Sequence, residues 1–181
     1  PGIEIITLTR DKALSRKEEV DYLNQNGFFA DFTKLKYSYN VGIWGTSICG
    51  GEILDSMQGL PEEAYLKHAT ATADAMMKQY SKCKAVANTF RFDAGNGIQY
   101  YAALNDADGQ YISKEFYLDK VIDKVGSGDC FMAGLIYGKY NKHTEQQIID
   151  FAAAAAVGKM QEIGDATNQS VEAVHKRLNE L

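Results

Sequence analysis

The chain has 181 residues, 45% of them hydrophobic and 24% charged, with 24 acidic against 19 basic side chains and a formal charge of −5. This is enough for one domain with a real core, or one domain plus a small appendage. The acidic balance, with no Lys/Arg cluster on one predicted face, argues against a nucleic-acid footprint, and no apolar run approaches the ~18 residues of a membrane span.

The N-terminus, "PGIEIITLTRDK", lacks the basic, apolar, small-residue order of a signal peptide and begins without Met. A processed or truncated, cytoplasmic product is the expectation. Cys49, Cys83 and Cys130 are odd in number and scattered, so reduced thiols fit better than a disulfide framework. His68, His143 and His175 lie far apart and show no metal-ligand spacing.

In chain order, "IEIITLT" (3–9) suits a strand. "SRKEEVDYLNQNG" suits a helix, with Ser15 and Glu18 at capping-box spacing and Gly27 placed to stop it. "VGIW" (41–44) is a short buried strand, and "GGEILDSMQG" suggests a short helix. Pro61 opens an amphipathic helix whose apolar positions Ala64, His68, Ala71, Ala75 and Met76 sit roughly on one face.

"AVANTF" (85–90) is a strand. "GIQYYAALN" and "QYISKEFYL" flank "DADG", a strong hairpin signal. "KVIDKV" reads as short and extended, and Gly128–Tyr140 as a helix. Thr144 and Gln147 make a capping box before the alanine-rich "IIDFAAAAAVGKMQEIG", whose small side chains predict close packing. Ser170 caps a last helix, "SVEAVHKRLNEL". Strands and helices intermixed in this way predict an α/β architecture with helices covering a sheet.

The chemistry concentrates in "IDKVGSGDCFMAGLIYGKY" (122–140). The first amides of a helix have no intrahelical partner, and the helix dipole adds partial positive charge there. A glycine-rich entry lets an anion approach that backbone, so Gly126, Ser127 and Gly128 form a candidate anion hole. Phosphoryl transfer asks for positioning, charge stabilisation and a group to accept the acceptor's proton. Asp129, at the same helix start, is the candidate base. The bland alternative is a turn followed by a capping aspartate.

This stretch closely resembles the second signature of the PfkB (ribokinase-like) carbohydrate kinases, D-T-x-G-A-G-D-x-F-x-A-G. Asp123, the run Gly126 to Asp129, and Phe131, Ala133 and Gly134 match it. "ANTFR", the hairpin and the "DFAAAAAVGKMQEIGDATN" helix resemble the 2-keto-3-deoxygluconate kinase branch. The likeness is good from about residue 83 to 181 and weaker over 41–82.

The resemblance implies a ribokinase-like three-layer α/β sandwich, here its C-terminal half, with a largely parallel sheet plus a β-hairpin. Residues 1–40 stay unassigned, and 41–181 would be the nucleotide-binding half. It implies transfer of the γ-phosphate of ATP to a hydroxyl of a sugar or sugar acid, with Mg2+ and possibly K+. Asp129 would deprotonate the hydroxyl, and the backbone of Gly126 to Gly128 would hold the moving phosphate. Asp123 falls in the family's monovalent-cation region, with a strand-end cap as the alternative. Thr89 and Arg91 fall where nucleotide phosphates are contacted, although a surface arginine is the other reading. Asn168 falls near the adenine and ribose pocket, or is a turn residue before Ser170. Cys130 replaces the usual Ser or Ala and reads as a small buried residue, with a reactive thiol at a helix N-terminus as the alternative.

The chain also departs from the family. The first-half sugar contacts, lid strands and first glycine-rich signature are not visible. Where N-x-x-E, the Mg2+-linked element, should fall, the chain has "TSICGGE", with Ser47 and Gly50 at the key positions and only Glu52 acidic nearby. The expected partners are a small sugar acid, and either a second copy of the chain or a missing N-terminal half. The alternative function is a non-catalytic nucleotide- or anion-binding module, and a weaker one is a structural domain that assembles with another chain.

Overall fold

The computed structural model describes residues 16–29, 37–42, 45–50, 62–94 and 97–180. The chain separates into two compact units, Pro1–Gln58 and Gly59–Leu181.

The first unit contains α1 (Arg16–Gln25) and an antiparallel pair, β1 (Tyr37–Gly42) and β2 (Gly45–Gly50). The predicted stop at Gly27 is there: its φ is +81°, its amide reaches Asn24 O, and the Phe28 amide reaches Leu23 O at 3.0 Å. These paired bonds satisfy orphan carbonyls at the helix end, and glycine takes the left-handed position without a Cβ penalty. The expected strand at 41–44 corresponds instead to a hairpin whose β1 ends at Gly42. The expected strand at 3–9, the Ser15 cap, the short helix after Gly50 and Pro61 lie outside the described residues.

The second unit runs α2 (Glu62–Gln79), β3 (Ala85–Ala94), β4 (Gly97–Asp106), β5 (Gln110–Ile112), β6 (Phe116–Leu118), α3 (Ser127–Tyr140), α4 (Glu145–Lys159) and α5 (Val171–Asn179). β3 pairs with β4 along its whole length, while β5 and β6 share β4's other edge. Between them the Ser113 side chain steps in for the ladder, its hydroxyl accepting from the Ala102 amide at 2.9 Å. "DADG" turns the chain as expected: Asp106 accepts from the amides of Asp108 and Gly109.

The expectation of a largely parallel sheet is corrected here. Every strand pairing among the described residues is antiparallel. Parallel neighbours need a crossover of a dozen or more residues, and β3 to β6 follow one another through short connections.

Side chains alternate across β4. Ile98, Tyr100, Ala102 and Leu104 join α4 in the main core, with Ile148, Ile149, Ala152, Ala153, Ala156 and Met160. Phe90, Phe92 and Tyr101 lie on the opposite face, where Tyr65 of α2 meets Phe90 and Phe92 edge-on at 6.1 and 5.1 Å. The unit is thus helix, sheet, helix. On α2 the buried residues are Tyr65, Ala69 and Ala73, whereas His68, Ala71 and Ala75 are exposed. Repeated alanines make several faces of this helix look alike, and the aromatic contact at Tyr65 decides which one turns inward.

Candidate active site

Gly126 is the N-cap of α3 with φ 79°, ψ −5°. A Cβ there would collide with the carbonyl oxygen of Asp165. Both the left-handed backbone and the close approach of the 160s loop therefore demand glycine. The Ser127 hydroxyl donates to Lys124 O at 2.8 Å, and its amide reaches the same carbonyl at 3.3 Å. That turn spends Ser127 locally. The Cys130 amide makes the first intrahelical bond, to Gly126 O at 2.9 Å. The amides of Gly128 and Asp129 thus precede the helical ladder. A Cβ on Gly128 would meet nothing, so the backbone at the helix mouth opens to solvent. Asp129 is exposed in the same first turn.

Asp123 braces this mouth. One carboxylate oxygen accepts from the Val125 amide and the other from the Gly164 amide, each at 3.0 Å. The amides of Ile122 and Asp123 donate to Met160 O. The turn before α3 is thereby fastened to the loop after α4, and Asp123 tightens the turn that holds Gly126.

The loop after α4 is itself held by residues that sequence reasoning missed. Lys159 is completely buried, and its Nζ donates to Glu162 O at 3.1 Å. It sits in the last turn of α4, where the dipole favours a cation. The Glu162 carboxylate accepts from the Thr167 hydroxyl and from the Asn168 amide. Gln169 donates to Ala155 O and accepts from Arg177, which also donates to Ala154 O. Gly158 leaves room for this: a Cβ there would run into Gln169 and the Arg177 guanidinium. Burial pulls the Arg177 pKa below its ordinary value, against the raising influence of Glu162 and Glu180. No local motif announces these contacts; the isolated Lys in an alanine-rich helix was the available signal.

Cys130 is buried and lines an apolar cleft of about 170 Å³ with Ala133, Tyr137, Phe151 and Val174, rimmed by Thr167 and Gln169. Burial pushes its thiol pKa up; Lys159 opposes this, and Asp129 and Glu162 add to it. The thiol is therefore neutral at physiological pH, in keeping with the expectation of a small buried residue. The cleft is smaller than the ~300–1,000 Å³ typical of ligand pockets.

Thr89 and Arg91 are two apart on β3, exposed, and on the face shared with Tyr100 and the α3–α4 layer. Tyr100 lies directly across from Arg91. Burial raises its pKa strongly, against the hydrogen bond from Thr89 and the charge of Arg91. Its phenol stays neutral and helps fix Thr89. Asn168 is exposed in the loop, its amide on Glu162. Ser47 and Gly50 fall on β2, and Glu52 lies outside the described residues. Among the described residues no three His, Cys, Asp or Glu gather as a metal-holding group. No described helix is long and apolar enough to cross a membrane.

The model of the pfkB family of carbohydrate kinases matches residues 59–172, which include the whole α3 mouth and the loop that braces it. The chain belongs to this family.

A 2-dehydro-3-deoxygluconokinase from Thermotoga maritima is 28% identical, with a TM-score of 0.58 over 67% of this chain and 36% of that one. An Enterococcus faecalis structure, provisionally named a 2-keto-3-deoxygluconate kinase, superposes at TM-score 0.56 and 17% identity over 93% of this chain and 46% of that one. These neighbours carry the ribokinase-like expectation at the level of fold. The chain spans about a third to a half of their length.

A different likeness was not anticipated from the sequence. An argininosuccinate synthase from Dictyoglomus thermophilum is 39% identical over 67 residues, 36% of this chain but 17% of that protein. Others of the same description are 27–30% identical over 110–114 residues.

Proposed function

We propose that the mouth of α3 is the phosphoryl-transfer site of an ATP-dependent carbohydrate kinase, with a sugar acid of the 2-keto-3-deoxygluconate class as acceptor. The observation that carries the reading is Gly126. Its left-handed turn sets the unladdered amides of Gly128 and Asp129 and the Asp129 carboxylate at one open helix mouth. Asp129 takes the proton of the acceptor hydroxyl as that oxygen bonds to the γ-phosphorus. The bond from phosphorus to the β,γ-bridging oxygen breaks, and its electron pair leaves with ADP. The Gly128 amide and the α3 dipole stabilise charge on the moving phosphoryl group.

Thr89 and Arg91 are assigned to the nucleotide phosphates, Arg91 as a fork-shaped donor suited to them. Asn168 and the cleft rim are assigned to the base and ribose. Asp123 is assigned first to bracing the turn, with a neighbouring K+ as a secondary role. When bound, Mg2+ would come with ATP and would neutralise its phosphates; among the described residues no three His, Cys, Asp or Glu gather to hold it.

Asp129→Asn tests the base. Removal of a general base costs typically ~10²–10⁴-fold in rate. ADP release with 2-keto-3-deoxygluconate should fall by about that factor, while the affinity for a non-hydrolysable ATP analogue stays within about twofold. An active Asp129→Asn variant sinks the reading. A second reading, a nucleotide- or anion-binding module without catalysis, draws on "TSICGGE", where Ser47 and Gly50 stand at the key positions of N-x-x-E. It predicts analogue binding at Gly128 with no turnover in the parent sequence.

A further inference from the structure

We infer that the residues before about position 59 are a separate module of argininosuccinate-synthase descent, joined to the kinase segment, and not the sugar-binding part of that kinase. The proposal extends the kinase reading by excluding one source for its missing contacts.

Two boundaries found on different grounds coincide. The compact units meet between Gln58 and Gly59, and the kinase-family match begins at residue 59. The Thermotoga kinase aligns over 67% of the chain, which is the length of the second unit.

The argininosuccinate synthase matches then have one natural place. The kinase family takes 59–172. A segment of 65–67 residues cannot fit into the few residues after it, whereas a match laid over the stretch before it would run only a few residues past the boundary at 59. Identity is 32–39% in the 65–67-residue matches and 27–30% in those of 110–114 residues. That decline is expected when the longer alignments run past a junction into unrelated sequence.

The ladders agree. β1 and β2 form a two-stranded antiparallel sheet inside the first unit, and β3 to β6 form a four-stranded one inside the second. The Enterococcus alignment does reach into the first unit, but at 17% identity it speaks to fold rather than descent.

Native-state hydrogen exchange on the whole chain, in a urea series with and without AMP-PNP, tests this. Amides of 16–29 and 37–50 should open at a urea midpoint distinct from those of 62–94 and 97–180. AMP-PNP should slow exchange only in the second set. A common midpoint for both sets, or slowing at 37–50 on addition of AMP-PNP or 2-keto-3-deoxygluconate, would overturn the inference. Should AMP-PNP slow nothing, the kinase reading fails on its own, and the two midpoints still decide the module boundary.

Discussion

Gly126 is the residue on which the most geometry converges. It caps α3 in the left-handed region and touches the Asp165 backbone with no room for a side chain. A non-glycine residue in that conformation costs roughly 1–2 kcal/mol before any clash is counted. Gly126→Ala should therefore lower stability by at least that amount in urea denaturation. It should also weaken ATP-analogue binding, because relief of the clash must part the turn from the 160s loop. Unchanged stability and affinity would show that the helix mouth does not depend on this approach. The motif residues around Gly126 were legible because glycines, aspartate and spacing coincide within a dozen positions. Lys159, Gln169 and Arg177 were not, since their partners, Glu162 O, Ala155 O and Ala154 O, are main-chain groups that leave no mark in the pattern of residue types.

At the scale of elements, α3 and α4 pack closely because small residues face each other. A Cβ on Gly134 would lie 2.6 Å from Ala152 Cα, and one on Gly138 would lie 2.7 Å from Ile148 Cγ1. Buried alanines at 152–156 present the matching surface. Overpacking a tight interface costs typically ~1–3 kcal/mol. Gly134→Val should shift the urea midpoint down accordingly, and a neutral result would mean that the helices separate freely. The tight packing, the Thr144–Gln147 capping box and the Ser170 cap were all readable, because each rests on local residue types. The direction of the strands was less so. The parallel sheet came from family likeness, whereas the strands visible in this chain are joined by turns that pair them antiparallel. The inward face of α2 likewise depended on Tyr65 finding Phe90 and Phe92 across the sheet, which helical periodicity alone does not contain.

At the scale of the whole molecule, one core organises the second unit, and Ile149 lies fully buried in it among α4, β4 and α5 residues. Truncating such a side chain to alanine costs ~2–5 kcal/mol, the lost transfer energy plus the cavity left behind. If the chain is a junction of two modules, that cost must stay on one side of residue 59. Ile149→Ala should then lower the opening free energy of slowly exchanging amides in 97–106 and 145–159 by the full amount, leaving 37–50 as in the parent. An equal fall in both regions would mean that the units share one cooperative transition. A protein built this way has to find its sugar contacts outside the first 58 residues. In the kinase reading, Thr89 and Arg91 of β3 share a face of the sheet with the α3–α4 layer, so the groups proposed for phosphoryl transfer all belong to the second unit.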